Sequence, residues 1–255
     1  MSSVSIVIIC KNEASQIAAT LTSLEGISDD VIVYDNGSTD DTLEIVKKFP
    51  VRLYTGDWEG FGKTKNKANA HAKYDWILSM DADESVNEEL KKALTGFNEP
   101  DEKTIYKIRF RNFLGDKPLL HGEWGRDWHM RLFNRKYVSW DEEPVHEKLV
   151  MANGTKIKKL DGMILHRTAD NIADYAMKTV KYALLNAEKY QRNGIKSSWF
   201  KIRIAPRFSF ANYYLLKAGF LDGHAGYVCA KMTEYYTFLK YSRLRELNKL
   251  KGQEV

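Results

Sequence analysis

The chain is 255 residues long, 44% hydrophobic and 29% charged, a globular balance that excludes a disordered or fibrous polymer. Its net charge of +5 is unevenly placed: residues 1–170 hold 24 Lys and Arg against 28 Asp and Glu, whereas residues 171–255 hold 15 against 6. No long apolar stretch lacks charge, which argues against a spanning helix, and Cys10 and Cys229 lie in separate apolar contexts that give neither metal spacing nor a disulfide framework.

Met1-Ser2-Ser3-Val4 carries no basic leader and no cleavage signal, so a cytoplasmic protein is expected. Ser5-Ile6-Val7-Ile8-Ile9-Cys10 is a continuous apolar run that predicts a strand buried on both faces. Ile17, Leu21 and Leu24 then space a helix over about residues 15–24. Residues 31–34 predict a second strand, residues 41–49 a helix capped by Ser38 or Thr39, and residues 51–54 a third strand. Gly56, Gly60 and Gly62 form a loop into a helix over about residues 63–72; a strand over 76–80 and a helix over 87–95 follow. This alternation predicts an α/β fold with a Rossmann-like, mostly parallel sheet and flanking helices. From Thr104 the polarity alternates, as in half-exposed strands, with short strands at 104–110, 130–133 and 157–160. After His166 the chain turns helical, with one face through Ile172, Tyr175, Thr179 and Ala183, then stretches over about 199–220, broken at Pro206, and 227–250. The expected organisation is a catalytic domain over residues 1–170 and a basic helical extension over 171–255.

Two predicted strands stop in carboxylates, at Asp35 and at Asp81-Ala82-Asp83-Glu84, and open α/β sheets bind ligands outside the carboxyl ends of their strands. Asp81 and Asp83, two apart on an extended segment, are expected to point to one side, where a divalent cation relieves their repulsion. Mg²⁺ and Mn²⁺ take such oxygen ligands and bridge them to substrate phosphates. Asp35 can accept from a ring N–H or from ribose hydroxyls, with Asn36-Gly37-Ser38 as a tight turn beside it. Lys63, Lys65 and Lys67 open a helix whose N-terminus suits a diphosphate; residues 63 and 67 share a face and 65 does not. Gly60-Phe61-Gly62-Lys63-Thr64 looks like a P-loop of a nucleotide hydrolase, but Asp57 stands where that motif needs Gly.

Glu142-Glu143-Pro144-Val145-His146-Glu147 is not a zinc-protease helix, because Val150 occupies the place of the second His; as a loop it offers a general base through Glu143 or Glu147. His166, after an apolar run, is either a metal ligand or a hydrogen-bonded structural residue. In the basic extension Lys201, Arg203 and Arg207 interleave with Trp199, Phe200, Phe208 and Phe210, which suits a membrane surface as well as a core. Nucleic-acid binding through this extension leaves Asp35, Asp81 and Asp83 without a role. A catalytically silent sugar-nucleotide binder is a further alternative.

Residues 5–13, Asp35-Asn36-Gly37-Ser38-Thr39-Asp40, Asp81-Ala82-Asp83-Glu84 and Val145-His146-Glu147, in this order within about residues 4–168, resemble the inverting family 2 glycosyltransferases of GT-A fold. The resemblance implies a nucleotide-sugar donor and a divalent cation, Mg²⁺ or Mn²⁺. It places base and ribose contacts near Lys11, Glu13 and Asp35, Asp81 near ribose or metal, Asp83 on the metal, and His166 as a late metal ligand. The family's acceptor loop corresponds to Gly122, Glu123, Trp124, Gly125, Arg126 and Asp127. Its base sits in an acidic pair; here Glu147 occupies that place after His146, with Glu143 the second candidate. Residues 206–208, 217–223 and 235–241 resemble the bacterial lipopolysaccharide-core β-1,4-glucosyltransferases. That closer likeness implies UDP-glucose as donor and an inner-core heptose of a lipid-linked oligosaccharide as acceptor. With such an acceptor, the basic extension is expected to bring the protein to the inner face of the cytoplasmic membrane, and no nucleic-acid partner is expected.

Overall fold

The computed structural model describes residues 3–98, 101–141 and 148–251. The chain divides into two compact units: unit 1 comprises Met1–Phe110 and Trp128–His166, and unit 2 comprises Arg111–Asp127 and Arg167–Val255.

Unit 1 is built from β1 (Val4–Cys10), α1 (Ile17–Leu24), β2 (Val31–Asp35), α2 (Thr42–Val46), β3 (Arg52–Thr55), α3 (Phe61–Ala70), β4 (Trp76–Asp81), β5 (Glu84–Val86) and α4 (Glu88–Thr95). It also holds most of β6 (Thr104–Leu114), then β8 (Trp128–Asn134), β9 (Val138–Trp140), β10 (Leu149–Met151) and most of β11 (Lys156–Ala169); β7 (Lys117–Pro118) belongs to unit 2. The sheet order is β3-β2-β1-β4-β8-β6-β11-β5. The first four strands are parallel, and β8 opens an antiparallel half. Beta-branched β1 is buried along its whole length because it lies between β2 and β4 with a core on each face. Val4, Ile6 and Ile8 enter one cluster and Val7 and Ile9 the other, the period of two that a strand imposes. Each such side chain contributes about 1.5–3 kcal/mol by leaving water.

The local readings shift at their ends. The helix expected over 41–49 is only Thr42–Val46; its first N–H, Thr42 N, donates to Asp40 Oδ1 at 3.1 Å, and the Ser38 and Thr39 hydroxyls are not its caps. α4 starts after Asn87, whose side chain accepts from Leu90 N. The strand expected over 157–160 runs over Lys156–Ala169, so His166 lies inside β11.

Unit 2 is helical: α5 (Ile172–Arg192), α6 (Trp199–Arg203), α7 (Ala205–Ala211), a π turn over Asn212–Leu216, a 3-10 turn over Gly219–Asp222, and α8 (Gly223–Lys251). Pro206 sits in the first turn of α7, where its missing N–H costs nothing. Residues 111–127 belong here and not with the first 110 residues, because Leu114 and Leu119 share a core with Ala169, Tyr175, Tyr213, Cys229 and Ala230.

Candidate functional site

The strand order reverses between β1 and β4, since the chain moves outward through β2 and β3 and returns to the other side of β1. Ligands of open α/β sheets bind at such a reversal. Cys10 is paired with Asp35 on β2, and Ile9 with Asp81 on β4. Asp35 and Asp81 therefore flank the end of β1 two strand spacings apart, roughly 10 Å.

Asp35 is 1% exposed and holds the turn that follows it. Its Oδ2 accepts from Gly37 N at 2.9 Å and Ser38 N at 3.0 Å, the Ser38 hydroxyl donates to Oδ1, and the Cys10 thiol lies 3.6 Å from Oδ1. Burial, then the Asp35 charge, pushes the Cys10 thiol far up, so it stays protonated. The loop after β1 is braced on the loop after β2. Asn12, at φ +57°, donates from N to Ser38 Oγ at 2.9 Å and accepts from Thr39 N at 2.7 Å; Glu13 N donates to Thr42 Oγ1 at 2.8 Å. Exposed Lys11 and half-buried Glu13 thus stand on a fixed loop beside Asp35.

Asp81 and Asp83 do not point to one side. β4 ends at Asp81, residues 82–83 form a turn, and β5 begins at Glu84, so the segment is not extended and the two carboxylates pair with different side chains. Asp81 Oδ1 lies 3.2 Å from Lys65 Nζ and Oδ2 lies 3.0 Å from Arg131 Nη2. Arg131 Nη2 also bonds buried Glu84, whose other oxygen accepts from Asp81 N at 3.0 Å. Burial opposes ionisation of Asp81, but Lys65 and Arg131 outweigh it and hold the carboxyl well below the usual range. Burial, with Asp81 and Asp83 as nearby negative charges, pushes Glu84 up to about 7 against the pull of Arg131. Lys65 is buried with its ammonium 4.7 Å from the centre of the Trp140 ring, a cation–π contact.

Asp83 faces His166 instead, Oδ2 to Nε2 at 3.4 Å. Burial works against the imidazolium, but the Asp83 hydrogen bond and charge, with Glu84 and Asp81 behind, raise the His166 pKa. Among the described residues no three His, Cys, Asp or Glu come together as a metal cluster. Asp83 and His166 still fit a cation that completes its shell with phosphate oxygens, because such ions need only one or two protein ligands. Asp81 does not join them; its oxygens face two cationic side chains.

Lys63 is half-buried in the first turn of α3, after Gly60 at φ +93°, and Lys67 pairs with Glu59. Asn66, on the same helix, accepts from Trp140 N at 3.0 Å and donates to Trp140 O at 2.8 Å. Just beyond, Asp141 N donates to Lys148 O at 2.8 Å and Lys148 N to Asp141 Oδ1 at 3.0 Å, a clasp closing the ends of segment 142–147. Glu143 and Glu147 lie in that segment, outside the described residues.

In unit 2, Trp124–Arg126 form a 3-10 turn. Trp124 packs 5.5 Å from the Tyr175 ring, Asp127 accepts from Asn112 Nδ2 at 3.1 Å, and Arg126 is exposed. Gly125 admits no side chain, since a Cβ would stand 2.1 Å from Leu120 O. Arg131 and Trp140 were missed by the sequence reading, and Glu84 was named in its motif without a role. Arg131 had a signal: a lone charge inside an apolar strand reads as paired.

The family model described as glycosyl transferase family 2 matches residues 5–151. An uncharacterised glycosyltransferase of Rickettsia prowazekii is 30% identical over 268 residues, covering all of this chain and 90% of its own length. The lipopolysaccharide core biosynthesis glycosyltransferase LpsC of Rhizobium meliloti is 25% identical over 253 residues, covering 96% of this chain and 93% of its own. Among solved structures, S. aureus TarS 1-349 in complex with UDP aligns over 100% of this chain and 92% of its own at 17% identity, with a TM-score of 0.48.

Proposed function

The chain belongs to glycosyl transferase family 2, and from that premise we propose that it moves a hexose, glucose from UDP-glucose, onto an inner-core heptose of lipopolysaccharide with inversion at the anomeric carbon. The observation that carries the reading is the pair of carboxylates, Asp35 and Asp81, flanking β1 where the strand order reverses. Likeness to LpsC along nearly the whole chain supports the choice of acceptor.

The base and ribose lie against the braced loops of Lys11, Glu13 and Asp35, and the diphosphate against the first turn of α3 at Lys63. Lys65 and Arg131 keep Asp81 anionic and in place, so that it can accept from a ribose hydroxyl without recruiting a proton. Asp83 and His166 would hold the divalent cation, which when bound neutralises charge on the leaving diphosphate. His166 must be neutral to ligate, so its raised pKa sets protons in competition with the cation, and lower pH should weaken binding. One imidazole and one carboxylate suit Mn²⁺ better than Mg²⁺, which prefers oxygen throughout. Glu147, or Glu143 in second place, takes the acceptor proton as the glycosidic bond forms. Trp124, Gly125, Arg126 and Asp127 serve the acceptor side, Gly125 and Asp127 by fixing the loop. A lipid-linked acceptor places the enzyme on the inner face of the cytoplasmic membrane; among the described residues no helix is long and apolar enough to cross it.

A thermal-shift panel of UDP-, GDP-, ADP- and dTDP-sugars with and without Mn²⁺ tests the donor, because ligands that bind the native state raise its melting temperature by mass action. UDP-glucose should give the largest shift. Equal shifts from all four nucleotides would remove the donor assignment.

A further inference from the structure

Part of unit 2 is patterned in reverse for a helix facing water. Ile204 N donates to Phe200 O at 2.8 Å and Phe208 N to Ile204 O at 3.0 Å, so the three side chains follow one another at four-residue steps on one face. All three are exposed, Phe200 at 62% and Phe208 at 65%. The core is already served elsewhere on these turns, by Phe210 and Tyr213. The chain continues into exposed Leu215, Leu216 (75%), Phe220 and Leu221, and Leu221 lines a cavity of 1020 Å³ together with Leu120 and Ile172. Large apolar side chains exposed together along one face mark an interaction site.

Charge decides what the site meets. Residues 196–221 contain five Lys and Arg and no Asp or Glu. Arg203 and Arg207 stand three and seven residues after Phe200, on the same face. The Arg203 guanidinium lies 5.5 Å from the Trp199 ring and Arg207 bonds the backbone carbonyl of Arg203; among the described residues neither meets a carboxylate. A second copy fits this face poorly, because a two-fold interface sets Arg203 and Arg207 against their own copies, while exposed Glu123 beside the turns is already paired with Lys217.

We propose that the face formed by α6, α7 and the turns up to Leu221 docks in the plane of an anionic lipid bilayer. Phe200, Ile204, Phe208 and Leu216 enter the interface, and Lys201, Arg203 and Arg207 stand at headgroup depth. The inference gives the lipid-linked acceptor of the proposed function its surface. Vesicle binding is read without donor or acceptor, so either reading can fail alone.

The test is co-sedimentation of the full chain with phosphatidylcholine vesicles, with and without phosphatidylglycerol, at low and high salt, alongside light scattering for mass. Binding should need phosphatidylglycerol and fall with salt. Each basic group near an anionic leaflet is worth about fivefold, so R203Q/R207Q should lower the partition coefficient about 25-fold. F200S/F208S should lower it at least about tenfold, and both variants should keep the wild-type melting temperature because the replaced groups are exposed. Wild-type protein indifferent to phosphatidylglycerol overturns the proposal, as does F200S/F208S binding like wild type. A dimer that F200S/F208S splits, with no vesicle binding, gives the face to a second copy and also overturns it.

Discussion

Replacing Arg131 with Met removes one charge that faces two carboxylates, Asp81 at 3.0 Å and Glu84 beside it, both within unit 1. The methionine fills much of the volume, so the loss is electrostatic: Lys65 still faces Asp81, but buried Glu84 loses its guanidinium partner. Removing one partner of a buried pair costs about 3–5 kcal/mol. For a chain of this size each kcal/mol lowers the melting temperature by about 2–4 °C, so a drop of roughly 6–20 °C is expected by differential scanning fluorimetry. The double variant R131M/E84Q takes away one carboxylate with the guanidinium and should recover at least about 1 kcal/mol of the loss. R131M melting within about 2 °C of wild type, or a double variant whose losses simply add, would refute the account of a shared guanidinium.

Asp83→Ala or His166→Ala should leave the metal-free nucleotide shift intact and weaken the Mn²⁺-dependent increment about tenfold or more, read by titration at fixed nucleotide; an unchanged increment removes both as ligands. Because burial raises Glu84 to about 7, its contribution to stability is present below its ordinary pKa and lost as pH rises through about 7. Melting curves between about pH 5 and 8 should therefore fall more steeply for wild type than for Glu84→Gln; parallel curves would contradict the upward shift. Gly125→Ala puts a methyl 2.1 Å from Leu120 O and should destabilise unit 2 by about 2 kcal/mol or more, seen in urea denaturation. A substitution without effect would mean that the 120–125 turn yields freely.

The parallel half of the sheet was legible because β1, β2 and β4 are unbroken apolar runs, which only a strand with both faces covered tolerates. The ends of those strands were legible too, since carboxylates stop the runs. The partners of the carboxylates were not. Lys65 was set apart from Lys63 and Lys67 by helical phase, but nothing local says that it turns inward to Asp81 across sixteen residues. The separate pairing of Asp81 and Asp83 depends on β5 beginning at Glu84, and β5 forms only because β11, some eighty residues later, pairs with it. His166 shows the same limit: its local run looks like a strand end, and long-range pairing carries that strand on to Ala169. Segment 111–127 has its own strand signals, yet its apolar side chains sort by a core that includes residues from 169 to 230.

α3 touches both halves of the chemistry. Its first turn carries Lys63, and one turn on, Lys65 and Asn66 grip Trp140, next to the clasp at Asp141 and Lys148. With the diphosphate against that first turn, as proposed, donor binding loads the same helix that holds Trp140, and the nucleotide sugar is expected to bind before the sugar acceptor. Kinetically that is a compulsory order of addition, nucleotide sugar first. Product inhibition by the free nucleoside diphosphate should then be competitive against the donor and mixed against the acceptor.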